Sequence, residues 1–182
     1  MQVDDKTLLR LLADDKTRRR AFEIIVSQYS EMLYRQIRRM VFFHDAANDV
    51  LQNTFLKAWQ AIPMFEGRCK ISSWLYRIAY NEALDFRRRQ KQNISLSGDV
   101  GENNVVSRLM ADAYFDGEKI DAMLQQVIDE LPAVQRTVFQ LRYYEEMKYS
   151  EISDILGTSE GALKASYHIA VKKILSFFNK QD

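Results

Sequence analysis

The side chains of this sequence suit recognition better than bond making. It has 2 histidines and one cysteine, Cys69. Neither His44 nor His168 stands in a metal-ligand, triad or redox spacing, and no glycine-rich loop could cradle a phosphate. An enzyme is therefore set aside, and no metal or cofactor is expected. Three other groups of residues carry chemistry. Asp49, Gln52, Asn53 and Lys57 share one side of a helical stretch, with Phe55 and Trp59 at its boundary; carboxylate and amide groups beside large aromatics can form a protein-docking surface. Further on, Phe65-Glu66-Gly67-Arg68-Cys69-Lys70 sets a glycine among cations and an aromatic. It is followed by Arg77, Asn81, Asp85 and Arg88, spaced by three or four. Cations, aromatics and an amide in that pattern suit stacking and hydrogen bonding to unpaired bases, although Trp74 and Phe86 read as core. Last, Lys164, His168, Lys172 and Lys173 would project from one helix near the end of the chain.

The elements that must position these groups are helical. Only 6 Gly and 2 Pro occur in 182 residues, about a third of ordinary usage, which disfavours sandwiches, barrels and other turn-rich folds. Phe22, Ile25, Val26, Tyr29, Leu33, Ile37 and Met40 recur at helical spacing and predict a helix from Thr17 to Phe42. His44-Asp45 breaks that period, and Asp45 is placed to cap the next helix, which buries Ala47, Val50, Leu51, Thr54, Ala58 and Ile62. A third helix packs Trp74, Leu75, Ile78, Ala79, Ala83 and Phe86. In the second half, an apolar face runs through Ile120, Leu124, Val127, Ile128 and Leu131, then through Val134, Val138, Leu141 and Tyr144. Tyr149 to Leu163 reads as a helix-turn-helix: Ile152, Ile155 and Leu156 bury a short helix, and Gly157 makes the turn. Thr158 or Ser159 caps a second helix, anchored by Leu163, Tyr167, Ala170 and Ile174.

Charge divides the chain where composition does. The formal net charge is +1, yet residues 1–92 carry 17 basic and 11 acidic side chains, a net of +6. Residues 93–118 carry 1 and 5, a net of −4, and residues 119–182 carry 8 and 9, a net of −1. The basic surplus sits at Arg18-Arg19-Arg20, at Arg35, Arg38 and Arg39, and at Arg87-Arg88-Arg89 with Lys91. Such runs attract polyanions, but on charge alone the solvated helix face is the favoured reading. The 93–118 stretch, with Gly98, Gly101 and Gly117 and no sustained apolar period, predicts an acidic linker with room for a short helix at Val106–Phe115. The chain thus reads as all-α: two small helical domains, 1–92 and 119–182, joined by a flexible acidic linker. One cysteine suits a reducing compartment, no apolar run approaches a membrane span, and the acidic start is unlike a signal peptide. A soluble cytoplasmic protein, without membrane insertion, is expected.

Four segments in order carry a resemblance: Asp45 to Trp59, Phe65-Glu66-Gly67, Trp74 to Asn81, and Leu131-Pro132 through the helix-turn-helix to Lys173. Together they resemble the extracytoplasmic-function (ECF) group of the sigma-70 family of bacterial RNA polymerase sigma factors. The resemblance implies regions 2 and 4 without an intervening third domain. It implies that Asp49, Gln52, Asn53 and Leu56 contact the clamp helices of the largest polymerase subunit. It further implies that Phe65, Gly67, Arg68, Lys70, Tyr76, Arg77, Asn81 and Arg88 form the −10 DNA surface, where a base is held outside the duplex. Ser159, Glu160, Lys164, Ala165, His168 and Lys172 are implied at the −35 element, with the second domain also touching the polymerase flap. The linker would thread toward the active site, and an anti-sigma factor is an expected partner. Recognition helices of the family commonly carry arginines at the positions of Ser166 and Ile169, which this chain lacks. A conventional regulator, with a sensor domain ahead of a DNA-binding hairpin, is the alternative. It accounts for the hairpin but not for the helices around Asp49 and Asn81.

Overall fold

The computed structural model describes residues 3–97, 105–112 and 119–180. All regular structure among these residues is helical, and they divide into two compact units, Met1–Arg89 and Gln90–Asp182.

The first unit is built on α2 (Asp15–Val41), which packs against α1 (Asp5–Ala13) on one side and α3 (His44–Ala61) on the other. A 3-10 turn (Ile62–Met64) and a loop lead to α4 (Ile71–Ser97). The periodic residues do what their spacing requires: Ala21, Ile25, Leu33 and Ile37 of α2 are buried with Ala47, Val50 and Ala58 of α3 and Leu75, Ala79 and Ala83 of α4. Truncating one of the large members to alanine costs about 2–5 kcal/mol. Phe42, in the left-handed region at φ 68°, ends α2, and Phe43 rather than Asp45 takes the N-cap position of α3, without a side-chain cap. Asp45 lies inside the first turn of α3, where a carboxylate still complements the helix dipole.

The apolar period predicts no element before residue 17, yet α1 is present and held at both ends. At its start Val3 N–H donates to Gln28 Oε1 at 3.0 Å, and Asp4 caps the helix through the Thr7 amide at 3.0 Å. At its end Thr17 Oγ1 donates to Leu11 O at 2.7 Å, and Arg18 Nε to Leu12 O at 2.9 Å. These bonds occupy carbonyls that a helix terminus otherwise leaves unpaired. Tyr29 donates to Asp5 Oδ1 at 3.1 Å; burial first, and then the charge of Asp5, pushes the phenol up from 10.0 to about 12. A pKa raised on folding contributes stability that is intact below pH 10 and lost as pH rises toward 12. The stability difference between the native chain and Tyr29→Phe should therefore shrink by on the order of 1–2 kcal/mol across that window. Denaturant titrations at pH 9, 10, 11 and 12 measure it, and a constant difference would contradict the coupling.

In the second unit α5 (Val105–Met110) packs on α6 (Lys119–Glu130), and α7 (Ala133–Tyr143) and α8 (Tyr149–Leu156) both pack on α9 (Glu160–Phe178). The short linker helix is therefore present, although the part expected from residue 113 on lies outside the described residues, as does the linker at 98–104. Val127, Ile128, Leu131, Phe139, Ala170 and Ile174 form one core, with Tyr167 and Tyr144 against it. Ile120 and Val134, expected on the apolar face, are exposed; Val138 and Leu141 are buried as expected, together with Thr137, Phe139 and Gln140. Arg136 ties α6 to α7 through Asp129, at 2.8 Å to its carbonyl and 2.6 Å to its carboxylate.

Candidate functional site

On the first unit, α3 turns Asp49, Gln52, Asn53 and Leu56 to solvent, and Ala47, Val50, Thr54 and Ala58 on its opposite side anchor it. Trp59 is 40% exposed at the edge of this surface. Phe22 of α2 holds its ring at 5.1 Å and meets Phe55 edge-on at 6.2 Å. The surface is rigid for that reason: its aromatics are braced by a neighbouring helix, and its polar groups stand one and two turns apart on an unbroken one.

The loop between the 3-10 turn and α4 is fixed at its upstream end by Phe65, stacked on Trp74 at 4.4 Å and 17°. Trp74 is buried, as its apolar spacing indicated, and Phe86 is half-buried. Gly67 has φ +68°, and a Cβ built there would lie 3.2 Å from Leu9 Cδ1. Its glycine answers both a left-handed backbone and the close approach of α1. Arg68 is exposed and paired with Glu66, and Lys70 is exposed at the start of α4.

On α4 the expected stripe separates. Asn81, Asp85 and Arg88 line an open cleft of about 420 Å³ together with Ile78, Glu82 and Leu84 of α4 and with Lys57 and Ala61 of α3. Arg77 is exposed but does not line it. Tyr76, expected on the DNA surface, is 3% exposed: its position in the helix faces the core with Leu75 and Ala79, so its ring is spent on packing. Glu82 is buried, and its carboxylate pairs with Lys57, which is half outside. A buried carboxylate needs such a cation, and the pair holds the lysine at the mouth of the cleft. Lys57, Ala61 and Ile78 were not in the expected −10 set. No local spacing links positions 57 and 61 to 78 and 81; only the packing of α3 beside α4 brings them together. The cleft offers apolar surface, one amide and two cations, each paired with a carboxylate of the same lining: Lys57 with Glu82, and Arg88 with Asp85 at 3.3 Å.

On the second unit, Gly157 has φ +64° and ends α8, and Ser159 caps α9 by accepting from the Ala162 amide at 3.4 Å. Lys148 N–H donates to Glu151 Oε2 at 3.1 Å at the start of α8. Leu163, Ala170 and Ile174 are buried, which leaves Glu160, Lys164, Ala165, His168, Lys172 and Lys173 on the outer face of α9. Lys164 lies 3.9 Å from Glu160 and 5.6 Å from the ring of Tyr149, over which Arg142 also sits at 5.2 Å. The second cation was missed in the sequence because it comes from the end of α7. Ser166 is half-buried, and Ile169 is 43% exposed. Lys173 is engaged with Gln135 Oε1 at 3.0 Å. Among the described residues no cluster of His, Cys, Asp and Glu could hold a metal ion, and no helix is long and apolar enough to cross a membrane.

Comparison with known proteins covers both units. Residues 25–93 match Sigma-70 region 2, and residues 121–174 match Sigma-70 region 4. The chain is 32% identical to the ECF RNA polymerase sigma factor SigW of Bacillus subtilis over 81% of its own length and 83% of that protein. It is 30% identical to the RNA polymerase sigma-H factor of Pseudomonas aeruginosa, covering 90% and 88%. The fold is similar to that of CnrH, solved with the cytosolic domain of CnrY: TM-score 0.72 and 21% identity, covering 98% and 99%. It is also similar to the sigma factor RpoE of Bartonella quintana, solved with the anti-sigma factor NepR: TM-score 0.70 and 22% identity, covering 87% and 96%. With both regions matched in order and the helix-turn-helix in place, the chain belongs to the extracytoplasmic-function group of the sigma-70 family of RNA polymerase sigma factors.

Proposed function

We propose that this chain binds core RNA polymerase through α3, reads promoter DNA with α9, and holds an unpaired −10 base in the cleft between α3 and α4. The cleft carries the proposal. Ile78 and Ala61 supply an apolar wall for a base face, Asn81 a donor and an acceptor for its edge, and Lys57 and Arg88 charge for the flanking phosphates. Arg68, Lys70 and Arg77 extend that charge along the strand, and Phe65 and Gly67 set the course of the loop. Tyr76 acts by packing beneath the surface. Asp49, Gln52, Asn53 and Leu56 dock on the polymerase clamp helices, and the second domain reaches the flap. Residues 1–92 and 119–182 act as the two functional domains, joined by the 93–118 segment, into which α4 runs as far as Ser97 and of which α5 packs on α6. RpoE of Bartonella quintana, similar in fold and solved with an anti-sigma factor, supports such a partner here, and a role on polymerase supports a cytoplasmic location.

Upstream recognition rests on Lys164, Ala165, His168 and Lys172, with Ser159 and Glu160 at the first turn of α9. A lysine on a base edge discriminates by about 1–3 kcal/mol, whereas one on phosphate acts equally on all sequences. Lys164→Ala should weaken −35 binding by that amount. Titrations against promoter and scrambled duplexes at several salt concentrations separate the two roles: selective loss marks base contact, and equal loss with a salt slope smaller by about one marks phosphate. Undiminished promoter binding would remove Lys164 from the interface. A 2-aminopurine placed at the unpaired −10 position should brighten on promoter opening as it leaves the stack; a silent probe in an active complex would contradict the cleft.

A further inference from the structure

The loop that bears Arg68 and Lys70 is anchored at three points, and two of them come from α1. Phe65 stacks on Trp74 at the upstream end. In the middle, Gly67 rests against Leu9, with the Cβ position 3.2 Å from Leu9 Cδ1. At the downstream end the first amide of α4, Ile71 N–H, donates to Asp5 Oδ2 at 3.0 Å. This is an N-cap supplied from 66 residues away in sequence. A helix's first amides lack partners of their own, and an acceptor there fixes where the helix begins. Asp5 and Leu9 are four residues apart on one helix and so share a face. The other carboxylate oxygen of Asp5 accepts from Tyr29 at 3.1 Å, which locks the group to α2.

We propose that Asp5 is a positioning residue for the −10 loop: by holding the Ile71 amide and the Tyr29 hydroxyl together, it fixes α1 under the loop and sets the start of α4. The inference rests on the −10 reading given above. Asp5 touches no DNA. It determines where Arg68 and Lys70 stand relative to the cleft, because the chain between Gly67 and Ile71 has its two ends on the same rigid helix. An element outside residues 25–93, which match region 2, thereby governs the −10 surface.

Full-length Asp5→Ala, Asp5→Asn and the native chain, each with core polymerase, test this by three readouts: permanganate reactivity at the −10 element, affinity for a −35 duplex, and affinity for core. Asp5→Ala should form open complex about tenfold less, the range that a lost N-cap acceptor gives in an equilibrium. Its −35 and core affinities should be unchanged. Asp5→Asn should recover most of the loss, since Oδ1 can still accept from Ile71 while Nδ2 donates to the Tyr29 oxygen. If Asp5→Ala does not fold, Leu9→Ala removes the support under Gly67 and leaves the cap, and the same selective opening defect is expected. Native-level opening in the folded alanine variants, equal loss in all three readouts, or no recovery in Asp5→Asn would overturn the proposal. A native chain that opens no promoter with core would instead overturn the −10 reading itself.

Discussion

Asn81→Ala should keep core binding and closed-complex formation and lose the open complex. Taking a base out of the stack costs a few kcal/mol, and the protein must return that through stacking and hydrogen bonds. Asn81 is the amide of the cleft, exposed beside Ile78 and Lys57, so its removal subtracts edge recognition without opening a cavity in the core. The expected loss is about 1–3 kcal/mol, roughly 5- to 150-fold in open complex. On a template with a pre-melted bubble most transcription should return, because the unpairing cost is already met. Permanganate footprints on the two templates make the comparison. Equal defects on both would place Asn81 outside the melting step.

Charge reversal at Asp49, or Gln52→Ala, should weaken core binding by about 2 kcal/mol, near thirtyfold, if the α3 face lies at the centre of a desolvated interface. Both side chains are exposed in the free protein and contribute nothing to its core, so thermal unfolding should be unchanged. Leu56, exposed beside them, gives the same face an apolar contact. Fluorescence anisotropy of labelled protein titrated with core polymerase reads the effect. Native affinity in both variants would remove α3 from the docking surface.

Helix identity was legible wherever an apolar period ran for several turns, as in α2, α3 and α9, because one buried face dictates that period. It was also legible at Gly157 and Ser159, where backbone sign and capping chemistry are local. The α1 helix was not: Leu8 and Leu12 bury one face of it, but no turn-making glycine sets it off as Gly157 does for α8, and the bonds that hold it, from Gln28, Thr17 and Arg18 on α2 and between Asp5 and Ile71, cross the fold. Tyr76 shows the converse. Its residue type suited base stacking, and only its place between Leu75 and Ala79 on the buried side of α4 removes it from the surface. The cleft is the clearest case. Asn81 and Arg88 were visible as a stripe, but Lys57, Ala61 and Glu82 join them through the packing of two helices that no spacing rule connects.

Run-off transcription with purified core polymerase tests the central claim most directly, on a duplex promoter taken from transcripts that rise when this chain is overexpressed. The account predicts one specific start site that appears only when core and this chain are both present, with permanganate-reactive thymines at its −10 element. A chain that shifts the duplex in the absence of core, fails to co-purify with core and yields no specific transcript would be a conventional DNA-binding regulator, and that result would contradict the account.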